Sequence, residues 1–273
     1  MRRVLSILSG TGLLMLLLAA HCFVLPEALA EADGTIVKLD GSKQAGAIRW
    51  LNSAKKYEIV KSGATSEILP SDVADVIVPK PLGLDKLAGM VNAGQGTAAI
   101  PELEKIVEKY LMLQWDLPAT ALLLKACKET KSTKGLDWGK KVADNREGTS
   151  LGQTPDFMSA YMDALIVAGR GSEVDKVIQA MIQSGKNESV AVAYLKRGDL
   201  FVARGNHKDA LIDGYLRTVL LYSSVKEIQP EALFKTVKSF EELKQATNAE
   251  KWRKKLLAEY PSDPYTAKLR SGI

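Results

Sequence analysis

The sequence predicts a mainly α-helical chain in which about five helical hairpins in tandem follow a small five-stranded sheet. Three observations carry this. Between residues 35 and 79 apolar and polar residues alternate with a period of two, interrupted by the turn dipeptides Asp40-Gly41 and Ser62-Gly63. After Leu84 the period becomes helical, and the alternating pattern does not return. Towards the C-terminus, Phe201 precedes Ala210 by the same nine residues that separate Phe240 from Ala249, so one structural unit recurs.

The first 30 residues read as an address. Arg2-Arg3, an apolar run over 13–20 that fades towards Leu25, and Ala28-Leu29-Ala30 have the order of a secretory signal peptide cut after Ala30. The apolar run is shorter than the roughly 20 residues a membrane span needs, so no transmembrane segment is expected in the mature chain. Cys22 follows His21 where a lipoprotein signal needs a small residue, so lipid anchoring is not expected. The predicted location is the periplasm or the extracellular space. Beyond residue 30 the sole cysteine is Cys127, which excludes an intramolecular disulfide and reads as a small buried apolar residue.

Residues 31–80 are predicted as a small β-barrel-like domain with strands near 35–39, 45–51, 57–61, 66–69 and 75–78. Pro79, Pro81 and Gly83 end it, because proline cannot donate to a ladder and disfavours helix in the residue before it. The second domain, 84–273, is helical, and the change of periodicity at this linker predicts that it folds by itself. Helices are expected near 85–92, 98–112, 118–128, 136–146, from Pro155 and over 173–183, with Thr154 capping the fifth. Two hairpins then span 190–261. Tyr194, Gly198 and Phe201 face one way, Gly205-Asn206 turns the chain, and Ala210, Leu211, Gly214 and Leu221 line one returning helix. In the last hairpin Leu233, Val237 and Phe240 answer Ala249, Leu256 and Tyr260.

The spacing of Tyr194, Gly198, Phe201 and Ala210, with Pro261 closing the final unit, resembles the tetratricopeptide repeat. Arg197 stands where that family usually has Leu, and Gly214 where it has an aromatic. The 31–80 segment resembles SH3-like or Sm-like small barrels in size and in its hairpin turns. The first resemblance implies a TPR-like α-solenoid whose concave face, lined by the first helix of each hairpin, binds a protein or an extended peptide. Carried onto this chain, that face comprises Asp156, Asp163, Leu195, Asp199, Val202, Phe234, Lys238 and Glu241, with Ile166, Glu231 and Glu242 beside them. Six carboxylates against one lysine imply an acidic groove suited to a basic peptide with apolar anchors.

No enzyme chemistry is expected, and neither is a cofactor or a metal. After residue 30 the sequence has one histidine, His207, and neither HExxH nor CxxC, so a His-based triad or a zinc site lacks its parts. Gly94-Gln95-Gly96 and Gly169-Arg170-Gly171 follow no strand and read as hairpin turns rather than phosphate loops. Residues 251–255 (KWRKK) read as a solvated helix face, and a net charge of +4 beyond residue 30 gives no reason to expect nucleic acid. The predicted function is therefore an exported protein-binding adapter. The alternatives are a cell-envelope structural protein that docks its β-domain on peptidoglycan or membrane, and an envelope hydrolase using Asp72 and Asp75.

Overall fold

The computed structural model describes residues 31–130, 132–149 and 151–272; the signal-peptide expectation falls on residues outside this range. The strands are β1 (Ala32–Lys38), β2 (Lys43–Leu51), β3 (Lys56–Lys61), β4 (Ala64–Ile68) and β5 (Val73–Ile77). They pair antiparallel in the order β4-β3-β2-β1-β5. β4 and β5 therefore lie at the two ends of the ladder, so the closed barrel expected from the sequence is an open sheet in its strand order. Ser62 and Gly63 both have positive φ, as the tight β3–β4 hairpin requires, and a 3-10 turn at Pro70–Asp72 carries the chain from β4 to β5. Alternation places Ile36, Ile48, Trp50, Tyr57, Ile59 and Val76 on the buried face, with Trp50 opposite Tyr57 and their rings 4.9 Å apart.

The helices are α1 (Leu84–Asn92), α2 (Gly96–Lys109), α3 (Asp116–Thr130), α4 (Lys134–Arg146), α5 (Pro155–Val167), α6 (Gly171–Gln183) and α7 (Asn187–Ala203). After them come α8 (His207–Ala210), a π turn (Leu211–Tyr215), α9 (Leu216–Leu221), α10 (Gln229–Glu242), α11 (Ala246–Glu259) and α12 (Pro264–Arg270). Thr154 caps α5 as its sequence predicts, accepting from the Phe157 amide at 3.4 Å, and Asp263 caps α12 in the same way at 2.8 Å. Consecutive elements from α1 to α11 pack on one another, α12 packs back on α10, and α3 also packs on α5 and α5 on α7. That places α3, α5 and α7 side by side.

The returning helix after Asn206 is not the single α-helix that its periodicity suggests. The π turn inserts one residue, which rotates the following face by about a third of a turn. Tyr215, Thr218 and Val219 consequently point inward, whereas Leu221, expected in the apolar stripe, is 66% exposed. The insertion also lets Gly214 meet Gly198 of α7 backbone to backbone. A Cβ on Gly214 would lie 2.5 Å from the Gly198 Cα.

The buried side chains form two clusters. One runs without a break from the sheet through α1–α6 into α7; the other joins Leu195 to α8–α12. The first cluster crosses the 79–83 linker, so the sheet and the helices share a core. Four hydrogen bonds reinforce the junction: Tyr57 Oη donates to the Met112 carbonyl at 2.8 Å, Trp50 Nε1 and Lys55 Nζ to Asn145 Oδ1 at 3.2 and 2.7 Å, and Trp115 Nε1 to the Val78 carbonyl at 2.9 Å. A cut at 79–83, where the sequence predicts a boundary, would divide this shared core.

Candidate functional site

A cleft of about 1210 Å³ opens between α1, α3, α5 and α12. Its walls follow from helical spacing. Pro118, Ala121, Leu122 and Lys125 recur along one face of α3, Asp156, Ser159, Ala160 and Asp163 along one face of α5, and Leu84 and Ala88 come from α1. Tyr265 and Lys268 of α12 close the far side. Its size and mixed lining suit an extended ligand rather than an enclosed small molecule.

Trp115 enters the cleft from the loop joining α2 to α3, which holds two non-glycine residues in the left-handed region: Met112 (φ 63°) and Gln114 (φ 74°). This strain is tolerated because the surroundings fix it. Asp116 Oδ2 accepts the Met112 amide at 2.8 Å, while Tyr57 holds the Met112 carbonyl from the sheet. Asp116 in turn pairs with Arg146, both side chains being buried. Burial pushes the Asp116 carboxyl pKa up, opposed by Arg146 and by the Met112 and Leu117 amides. With its Nε1 spent on Val78, Trp115 has a polar edge that is satisfied and a ring available to the cleft; the Lys80 ammonium sits 5.7 Å from the ring centroid.

Beside the cleft, α5, α7, α10 and α12 carry a partly buried charge network. Lys196 Nζ, 2% exposed as a side chain, lies 2.6 Å from Asp163, 3.5 Å from Asp199 and 4.0 Å from Glu231. Lys235 Nζ reaches Asp199 at 2.7 Å and Glu231 at 2.5 Å. Tyr215 donates to Asp199 at 2.8 Å, and Tyr265 of α12 adjoins Glu231. Burial and Lys235 push the Lys196 pKa down, but the three carboxylates prevail and raise it, so the amine stays protonated. Burial likewise pushes Glu231 up, yet Lys235 and Lys196 bring it down to about 2. These are the signatures of a compensated structural network. A nucleophilic lysine would need the opposite shift.

The residues expected on a concave face separate. Asp156 and Asp163 line the large cleft. Asp199, Val202, Phe234 and Lys238 line a second recess of about 320 Å³, together with His207, Tyr215 and Lys235. Glu241 lines neither; it pairs with Arg253 and lies 3.7 Å from Lys238. Leu195 is 1% exposed and packs in the C-terminal core, so it is no ligand contact. The acidic groove is also largely compensated, because Lys196 and Lys235 pair with Asp163, Asp199 and Glu231 from within and Lys128 approaches Asp163 from the cleft. Both lysines escape a reading by family position, although the i,i+4 pair Glu231–Lys235 and the i,i+3 pair Lys196–Asp199 are visible in the sequence. Trp115 is missed because its position depends on a strained loop. Asp72 and Asp75 are exposed on the sheet and line neither cavity.

Among the described residues no helix is long and apolar enough to cross a membrane, and no group of three His, Cys, Asp or Glu side chains could hold a metal ion. No family model matches the chain, and neither a curated protein nor a solved structure is similar to it.

Proposed function

We propose that this protein is an exported, non-enzymatic adapter that binds a protein partner through a cleft formed by TPR-like hairpins. The observation that carries the reading is that one face each of α3 and α5 builds the walls of one 1210 Å³ cleft, with an aromatic platform fixed at its edge. Stacked hairpins are suited to such an extended surface. A photo-crosslinking residue at Ser159, inside the cleft, should capture a discrete partner in the cell envelope. The same residue at the exposed Lys176 of α6 should not. Equal capture from both positions would defeat the reading. Export predicts a mature N-terminus at Glu31, and a lipid-modified Cys22 on N-terminal analysis would contradict it.

A second reading draws on a specific feature of the sheet: Leu39, Leu69 and Ile77 are exposed there, and Leu82 beside it is fully exposed. These residues suit an envelope protein that docks its β-domain on peptidoglycan or lipid. Cosedimentation with cell-wall sacculi or vesicles, lost on Leu39→Ser with Leu82→Ser, would favour this reading over the adapter.

A further inference from the structure

We propose that the large cleft docks an extended acidic peptide segment, an apolar side chain of which stacks on Trp115 while its carboxylates pair with Lys125, Lys128 and Lys268, and that the β-sheet preorganises this site. The inference rests on the adapter reading and specifies the partner. Its first support is charge. Among the described residues Lys125 Nζ contacts only the neutral Asn92 amide oxygen, at 2.6 Å. Lys268 sits 4.9 Å from the Tyr265 ring centroid, and no carboxylate among the described residues is within ion-pair distance of it. Lys128 meets Asp163 only at 3.6 Å, and Asp163 is already bound by the buried Lys196 at 2.6 Å. Of the four carboxylates in the lining, Asp85 pairs with Lys80 and Asp163 with Lys196. Lys128 keeps its looser pairing with Asp163, so among the described residues Lys125 and Lys268 are the cleft ammonium groups without a carboxylate; of the two remaining lining carboxylates Glu129 is turned towards Gly96, at the start of α2, and Asp156 alone is left to answer them. The unmet charge in the cleft is positive, the reverse of what family positions alone imply, and the net positive chain draws anions towards it.

The second support is preorganisation. The 111–116 loop holds left-handed Met112 and Gln114, and the groups that hold it come from the sheet (Tyr57, Val78) and from the buried Asp116–Arg146 pair. A platform fixed before binding loses little freedom on complex formation. The sheet thus acts as a brace for the cleft, and Tyr57 is a positioning residue whose hydroxyl acts through Met112 on Trp115.

A random decapeptide library displayed on phage and selected on the exported chain tests this. The expected winners carry Asp or Glu flanking Phe, Trp or Leu. Synthetic winners should bind at least tenfold more weakly to Trp115→Ala and to Lys125→Glu, an exposed change that does not touch the core. Tyr57→Phe should weaken binding severalfold, and that loss should vanish in a Trp115→Ala background, whereas a general loss of stability would persist there. Winners rich in Lys or Arg, or acidic winners indifferent to Trp115 and Lys125, would overturn the proposal while leaving the adapter reading in place. A library that yields no binder at all would overturn both.

Discussion

Lys196 shows how one side chain decides the character of a surface. Its ammonium is sequestered among Asp163, Asp199 and Glu231, and Lys196→Met would leave Asp199 and Glu231 sharing Lys235 and Asp163 with the more distant Lys128. Breaking a buried ionic cluster by removing one partner costs about 3–5 kcal/mol, and chemical denaturation should show a loss of that size. For the same reason Asp163→Lys with Asp199→Lys should lower the melting temperature sharply, because both carboxylates are structural partners rather than solvated groups. The network also sets a pH response. Glu231 has a folded pKa of about 2, below its ordinary 4.5, so its contribution is fully present above 4.5 and is lost as pH falls from there towards 2. The shift limits that contribution to about 3 kcal/mol, and sharing of the two lysines with Asp199 and Asp163 reduces it. Urea melts at pH 6 and pH 3 should show Glu231→Gln costing clearly less stability at the lower pH than at the higher, because the contribution fades only as pH approaches 2.

At the scale of elements, the close approach of α7 to the π turn fixes the geometry of the C-terminal half. Gly214→Ala would drive a methyl group into the Gly198 backbone, and a loss of at least about 1–3 kcal/mol is expected from thermal unfolding. Ala210→Leu and Ala249→Leu, both at buried crossings, should cost a similar amount, whereas Lys251→Ala on an exposed face should change little. Most elements were legible in the sequence because period and punctuation agree: Asp40-Gly41 and Ser62-Gly63 end strands, Thr154-Pro155 and Asp263-Pro264 start helices. The π turn was not legible, since a one-residue insertion leaves composition unchanged and shows only in which side chains end up inside. The candidate site was half legible. Asp156 and Asp163 follow from helical spacing, but Trp115 depends on a strained loop and on a hydroxyl from a strand more than fifty residues earlier.

For the whole molecule, the question is how far the sheet and the helices depend on each other. The N-terminal core cluster includes both Tyr57 and Met112, so cutting at the 79–83 linker would expose apolar surface on both sides and orphan the Met112 carbonyl and the Trp115 indole. A fragment covering 84–273 should retain helical circular dichroism yet melt broadly, at a lower temperature than the 31–273 chain. A sharp transition matching that of the longer chain would show that the linker divides two independent units.

The division of the core at α7 has a mechanical consequence. Leu195 belongs to the C-terminal cluster while Val192, Ala193 and Leu200 belong to the N-terminal one, with Lys196 and its directional bonds among them. A load applied at the C-terminus would meet helices packed on one another one at a time, and α10 is tied inward to α7 by Lys235–Asp199 at 2.7 Å and Lys196–Glu231 at 4.0 Å. Under an optical trap the chain should therefore lengthen in two steps. The first would release α8–α12 once the ionic ties shear, at a force that falls when Lys235 is replaced by Met. The second, stronger step would open the sheet and the helices that share its core. A partner tethered to the C-terminal end could in this way be paid out under tension while a ligand held at Trp115 stays in place.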